Sequence, residues 1–456
     1  MENRMKKLWA LCLAVLTCLS ACGCAFRFAA SPDDLYALPQ LPAEYTELND
    51  LIQKLIDGGA EYAAPASGTN IQPVQLVDLD GDGQEEALAF LRKSADERPL
   101  KIYIFAKTEQ SYKQAAVIES SGTAINSVAY NDLDQDGRPE LIVGWKVGTE
   151  LQALTVYTAR GREPQELMRT NYVRYAVTDL NGDQHREIVV LHSDDEGSGV
   201  ADYYTWQKDT ALERTSTARI SMTMAELSNM GRVKTGTLQG KIPALFVTGV
   251  SDSNEEITDV LIARGGELTN PVLSDRTGVS TEIYRFVSLY PTDINGDGIT
   301  EIPAPRRESL RPGSTGPGQN CLVDWKSYTS AGESKAAEST YHNMDDGWYL
   351  VLPDTWSGKI GVARTQPNAN ETAVTFFTRG DAGSVPQEFL KIYTITGSNR
   401  AVNAARGNRF LLVRQAETIY AAELLNQDGT WQSGVTEDSL RGRFNLITSE
   451  WTSNDN

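Results

Sequence analysis

This chain of 456 residues sets 61 acidic side chains against 42 basic ones, for a formal charge of −19 and a sequence pI of about 4.7. Such a balance repels nucleic acid and anionic headgroups, so no nucleic-acid partner is expected. The length allows two or three domains with sizeable cores. Four of the five cysteines lie before residue 25 and leave Cys321 alone in the body of the chain, which excludes a disulfide framework.

The amino terminus opens with the basic stretch MENRMKK. An apolar run of about fourteen residues, LWALCLAVLTCLSA, follows and is too short for a good transmembrane helix. Leu19, Ser20, Ala21 and Cys22 close that run and resemble the lipobox of bacterial lipoproteins. The resemblance implies cleavage before Cys22 and a diacylglycerol on its thiol. The protein would then be lipid-anchored on the extracytoplasmic face of a bacterial cell membrane, each buried methylene contributing roughly 0.8 kcal/mol. Cys24, preceded by Cys22 and Gly23, is a poorer candidate for the same role. On this reading residues 1–21 are a lipoprotein signal peptide whose loss takes the charge to −21, and residues 22–42 are a polar, proline-containing tether.

Residues 43–59 place Leu48, Leu51, Ile52, Leu55 and Ile56 on one face of a helix closed by Gly58 and Gly59. That face is expected to pack on the fold that follows. A nine-residue acidic loop then occurs four times, as DLDGDGQEE from Asp78, DLDQDGRPE from Asp132, DLNGDQHRE from Asp179 and DINGDGITE from Asp293. Oxygen-bearing side chains stand at positions 1, 3, 5 and 9. Three copies carry Gly at position 6, where the backbone must turn sharply, and the third carries Gln184 there instead. Alternating oxygen donors of this kind suit a hard cation, above all Ca2+, with a backbone carbonyl at position 7 completing the set.

An EF-hand would add a bidentate Glu at position 12 and flanking helices. Here position 12 is Ala89, Val143, Val190 or Ala304, inside an apolar run of strand character. The loops resemble the FG-GAP or VCBS-type repeat of integrin-like β-propellers, whose calcium loops sit in a hairpin of each blade. The resemblance implies as metal ligands Asp78, Asp80, Asp82 and Glu86 in the first loop, and Asp132, Asp134, Asp136 and Glu140 in the second. Asp179, Asn181, Asp183 and Glu187 follow in the third, and Asp293, Asn295, Asp297 and Glu301 in the fourth. Three or four ions are expected.

The loops begin 54, 47 and 114 residues apart, and the last interval is twice 57, which points to a hidden unit. Val233 to Gly249, VKTGTLQGKIPALFVTG, repeats the strand, turn, strand outline without the acids. A second hairpin follows each unit, giving five units of four strands near 50 residues apiece, the sequence signature of propeller blades. The fold expected is mainly β: about five blades over 60–343, then a small α+β domain over 344–456. In that last segment, runs such as ETAVTFFTRG and EFLKIYTITG read as strands, and TEDSLRGRFNLITSEW reads as a closing helix capped by Thr436. The phrase DGWYLVLPDTW resembles the opening of PsbP or Mog1-like domains.

Catalytic signals are sparse. The three histidines, His185, His192 and His342, stand in no zinc-ligand spacing, and no nucleophile elbow, phosphate loop or dinucleotide fingerprint occurs. The acidic stretches HSDDEGSG from His192 and SDSNEE from Ser251 read as solvated loops, with extra calcium ligation or a carboxylate pair as alternatives. Tyr203, Tyr204, Trp206, Trp348 and Trp356 read as packing residues, with sugar stacking as the alternative. The function expected is a lipid-anchored calcium-binding propeller that serves as a binding or scaffold module for a protein or glycan ligand. An extracellular carbohydrate-active enzyme on a propeller scaffold and an envelope or spore-surface assembly component are the alternatives.

Overall fold

Short runs rich in Val, Ile, Leu and aromatic residues alternate with turns rich in Gly and Asp, and the chain folds accordingly into a series of antiparallel sheets. The computed structural model describes residues 45–108, 112–149, 151–159, 164–207, 211–228, 231–250, 255–280, 285, 288–306, 320–379, 385–425 and 432–447. The leader at 1–21, Cys22, Cys24, the tether and most of the SDSNEE stretch lie outside the described residues.

The first sheet is made of Glu61–Tyr62, Val74–Val77, Glu86–Arg92, Leu100–Lys107 and Tyr112–Ser120. The second contains Ala124–Asn131, Glu140–Lys146, Gln152–Thr158 and Gln165–Tyr172, and the third Arg174–Thr178, Glu187–Ser193, Gly199–Gln207 and Ala211–Arg219. Arg232–Leu238, Ile242–Val250, Glu256–Arg264 and Glu267–Thr269 form the fourth, so the acid-free copy read in the sequence does build a sheet. In the second, third and fourth sheets successive strands pair as a meander, and in the first they do so from Val74–Val77 onward. The strands that follow the loops are buried on both faces: in Glu86–Arg92 every residue but the last is buried, and Glu140–Lys146 and Glu187–Ser193 are nearly as dry. Their sequences are accordingly unbroken apolar runs rather than alternating ones.

Each sheet shares a core with the next. Phe90 and Ile102 of the first pack with Val143 and Trp145 of the second, and Ile142 and Val156 of the second with Ile188 and Val190 of the third. Leu191 and Tyr203 then pack with Leu245 and Leu261 of the fourth, and Phe246 and Val260 with Ile302 and Tyr328 of the fifth. Burying one such side chain contributes about 1.5–3 kcal/mol, and no sheet could bury both faces alone.

The edge strand of the first sheet is interrupted. Glu61–Tyr62 pairs with Leu91 and Arg92, whereas Val74–Val77 pairs with Glu86 to Ala89, and the chain between them crosses to the second sheet. There Ser67 forms a parallel bridge with Ser127, the Ala66 and Ser67 amides donate to Ile125 and Asn126 carbonyls at 3.1 and 2.8 Å, and Asn70 Nδ2 donates to Val128 O at 3.1 Å.

The fifth sheet contains Ile302–Arg306, Asn320–Tyr328 and Ser334–Asn343, and continues through Trp348–Val351 to Phe444–Leu446. Pairing therefore runs unbroken across residue 344. Ile360–Asn368, Glu371–Thr378, Glu388–Ile395, Ile419–Leu424 and Phe410–Arg414 make the sixth sheet. Its core joins Tyr341 and Trp348 to Phe376, Phe389 and the buried Trp356, whose indole donates to Ser433 O at 2.7 Å.

One sequence expectation is corrected here. The closing helix spans only Glu437–Arg443, and Phe444 and Leu446, which lie within the segment expected to be helical, are in a strand paired to Trp348–Val351. Its start is as expected: Ser439 N donates to Thr436 Oγ1 at 3.3 Å, and Leu440 is fully buried. Its end is not, because Gly442 weakens the last turn and an open strand edge offers Phe444 hydrogen bonds that a fraying helix cannot match. The helix Thr46–Asp57, with Leu48 and Ile52 buried and Gly58 closing it, belongs with residues 108–113 to a small compact unit, while 59–107 and 114–456 form the other.

Candidate metal-binding loops

The first three acidic loops each join the first and second strands of a sheet's loop-bearing hairpin: Val77 to Glu86, Asn131 to Glu140, and Thr178 to Glu187. The fourth spans the isolated bridge between Thr292 and Glu301, a hairpin reduced to one pair ahead of the fifth sheet. Position 9 is thus the first residue of a strand in the first three loops, fixed by ladder hydrogen bonds, while position 2, Leu79, Leu133 or Leu180, is buried in the core and the turn between them faces outward.

One hydrogen-bond scheme recurs. The position-1 carboxylate grips the turn with both oxygens: Asp78 accepts from the Gly81 and Gly83 amides at 2.8 and 2.9 Å, Asp179 from Gly182 and Gln184 at 2.6 and 2.9 Å, and Asp293 from Gly296 and Gly298 at 2.7 and 2.8 Å. Asp132 does the same with Asp136 and Gly137 at 3.1 and 3.0 Å. At position 5, Asp82, Asp136, Asp183 and Asp297 each accept from the amide at position 7, at 2.8 to 2.9 Å.

Such wrapping requires left-handed backbone at positions 4 and 6. Gly81 and Gly83 supply it in the first loop and Gly296 and Gly298 in the fourth, whereas Gln135 takes φ 58° in the second and Gln184 takes φ 78° in the third. The third loop therefore keeps the common geometry despite its missing Gly, at a backbone cost of about 1–2 kcal/mol. Sequence reading singled out position 6 and missed position 4, although Gly in three of the four copies was the available signal.

The position-9 glutamates are the most informative groups. One carboxylate oxygen of each accepts from the position-2 amide: Leu79 to Glu86 at 2.9 Å, Leu133 to Glu140 at 3.0 Å, Leu180 to Glu187 at 2.8 Å and Ile294 to Glu301 at 3.2 Å. All four residues are buried, Glu140 and Glu301 to 1% and 0% exposure. The second oxygen, Oε1, of Glu140 and of Glu301 is buried without a hydrogen-bond partner. In the third loop that place is filled by the Asn181 side-chain amide, which donates to Glu187 Oε1 at 2.9 Å and to Asp183 Oδ2 at 3.0 Å. Burial, reinforced by the neighbouring aspartates, pushes the Glu140, Glu187 and Glu301 carboxyls up to about 7, and burial also raises Glu86.

A buried carboxylate oxygen with no donor, set among like charges, is costly unless a cation or a proton meets it. The donors are all oxygens, the set that suits Ca2+ rather than a soft metal. One carboxylate oxygen from each of Asp78, Asp80 and Glu86 lies within 4.8 Å of the others, and the same holds for Asp132, Asp134 and Asp136 and for Asp179, Asp183 and Glu187. Asp293, Asp297 and Glu301 share the hydrogen-bond scheme but do not close to that radius. The residues of the first three loops therefore fit a divalent cation best.

Apart from His185, which is position 7 of the third loop, the other candidate residues lie outside these loops. His185 Nδ1 lies 3.4 Å from Asp183 Oδ1, and His192 Nε2 lies 2.8 Å from Oδ2 of the buried Asp202, which also accepts from Arg214 and Thr217. His342 is fully buried and stacked on Tyr349 at 5.0 Å. Asp194 caps its own turn through the Glu196 and Ser198 amides. Tyr203, Trp348 and Trp356 are fully buried, so these three pack the core and offer no face to a sugar, while Tyr204 and Trp206 pack half-buried at the second core. Cys321 is buried and its thiol pushed up to about 12, so it is inert.

Residues 78–143 match the FG-GAP-like repeat. The match begins at the first residue of the first loop and ends in the strand after the second, so the repeat unit in sequence runs from loop to loop and straddles two sheets. No curated protein matches the chain.

Proposed function

We propose that this chain is a calcium-stiffened β-propeller of about five blades, held on the extracytoplasmic face of a membrane by a lipid on Cys22, that presents its loops to a protein or glycan ligand. The observation that carries the calcium reading is the position-9 glutamate, buried, ionisable and left with a donorless oxygen in the second and fourth loops. The serial sharing of cores by sheets of like topology supports the propeller reading, and the FG-GAP-like match supports both.

Bound calcium would act on architecture rather than chemistry. It would neutralise clustered carboxylates and lock the turn that joins two strands. With dissociation constants of about 0.1–1 mM, typical of extracellular modules, calcium at about 1 mM would stabilise the fold by about 0.4–1.4 kcal/mol per site. Three or four sites then contribute a few kcal/mol, a large share of ordinary domain stability.

The test is thermal unfolding of residues 25–456 after chelation, with and without millimolar calcium, beside native mass spectrometry. Three or four ions and a calcium-specific rise in midpoint are expected. No bound ion and no shift would end the calcium reading and leave the loops as metal-free acidic turns.

A further inference from the structure

The second and third loops are hydrogen-bonded to each other at the positions where their sequences depart from glycine. Gln135, at position 4 of the second loop, donates from Nε2 to the carbonyl of Gln184, at position 6 of the third. Both residues hold left-handed backbone that Gly would hold without strain. The Arg186 amide donates to Leu133 O at 3.1 Å, and the Arg186 guanidinium donates to Asn131 Oδ1 at 2.6 Å. Leu133 is thereby held at both ends, since its own amide donates to Glu140 Oε2. An unbroken path runs from the Glu140 carboxylate through the Leu133 peptide to the Arg186 amide, next to Glu187.

The same path is chemically impossible between the first and second loops. Position 8 of the second loop is Pro139, which has no amide hydrogen to give to Leu79 O, and position 4 of the first loop is Gly81, which has no side chain to reach across. The fourth loop uses its position-8 amide on the sheet whose hairpin has no acidic loop, Thr300 N donating to Thr237 O at 2.8 Å. Of the four loops, only the second and third are joined to one another by this path.

We infer that the second and third loops take up calcium as a coupled pair, each ion raising the affinity of the other loop, while the first and fourth load independently. This rests on the calcium reading above, supported at the second loop by the buried, donorless Glu140 Oε1. An ion that draws in Glu140 fixes Leu133, and Leu133 fixes the strand start at Arg186 and Glu187 before the third loop has bound anything. The ordering is then shared by two ions, which is the physical content of positive coupling.

The experiment titrates calcium by calorimetry into the full chain carrying Glu86→Gln and Glu301→Gln, which leaves only the two loops in question. Two ions are expected, the second binding about fivefold or more tightly than the first after statistical correction. Gln135→Gly, which removes one contact between the loops and leaves the Arg186 amide on Leu133 O, should lower that ratio, and it should not threaten folding, because Gly accepts φ 58° freely. Asn131→Ala, which removes the Arg186 contact, should lower the ratio as well. Two independent ions in the parent, or an unchanged ratio in Gln135→Gly, would overturn the coupling and leave calcium binding intact. A wild-type chain that binds no calcium would overturn both readings together.

Discussion

Replacing Glu140 by Gln separates what the carboxylate costs from what it binds. In the calcium-free protein its pKa stands at about 7 against an ordinary 4.5, through burial and then the charges of Asp136 and Asp132. A carboxyl raised in this way favours the folded state only while protonated. Its contribution is whole below about pH 4.5 and is lost as the pH rises through about 7. The difference of about 2.5 units corresponds to about 3 kcal/mol at mildly alkaline pH, and the residue is 1% exposed, so solvent screens little of it. The substituted side chain keeps an oxygen for the Leu133 amide and turns an NH2 toward the aspartates, as Asn181 does in the third loop. Urea unfolding in chelator at about pH 8 should find Glu140→Gln more stable than wild type by about 1–3 kcal/mol, with the gap closing near pH 4.5. Adding millimolar calcium should stabilise wild type by about 0.4–1.4 kcal/mol more than the variant, because one site is gone. A variant less stable in chelator at alkaline pH, a gap that ignores pH, or an equal calcium gain would each refute the reasoning.

Gln184→Gly keeps the carbonyl that Gln135 uses and relieves φ 78°, but it loosens the unfolded chain, so a net gain of up to about 1 kcal/mol in thermal or urea unfolding is expected; a clear loss would contradict the left-handed turn. His342 is buried and its pKa lowered to about 3 by desolvation, so it supports the fold above about 6.5 and withdraws up to about 4–5 kcal/mol as the pH falls toward about 3. His342→Phe should therefore move the acid-unfolding midpoint down, and an unmoved midpoint would mean the ring takes up its proton without penalty. Cys22→Ser should free the protein from membranes, and continued partition of that variant into detergent would defeat the lipid-anchor reading.

The loops were legible because their chemistry is local: each candidate ligand position lies within nine residues, and the acids cannot be mistaken for a core. The strands after them were legible for the opposite reason, as runs such as LIVGW have no hydrophilic face to expose. What crosses between sheets was not legible. Nothing in the string DLDQDGRPE tells that Gln135 reaches Gln184, or that the amide of Arg186 matters where Pro139 has none. The end of the closing helix failed similarly, since Phe444 fits the apolar side of a helix and the edge of a strand equally well until its partner, Leu350, is placed. Even the fourth unit, whose hairpin lacks the acids, was found by outline alone; what the outline did not tell is that Gly236 is needed for close approach, since a Cβ there would stand 2.4 Å from Thr300 Oγ1 of the next loop.

The chain between Tyr62 and Val74 has a protective consequence. By laying Ala66, Ser67 and Asn70 along Ala124–Asn131, it occupies amides and carbonyls that a lone boundary strand would offer to any other chain. Proteolysis ahead of the first loop would then do more than shorten the protein. It would uncover a docking rail for foreign strands, and the clipped molecule should be recognised by self-association before any loss of secondary structure.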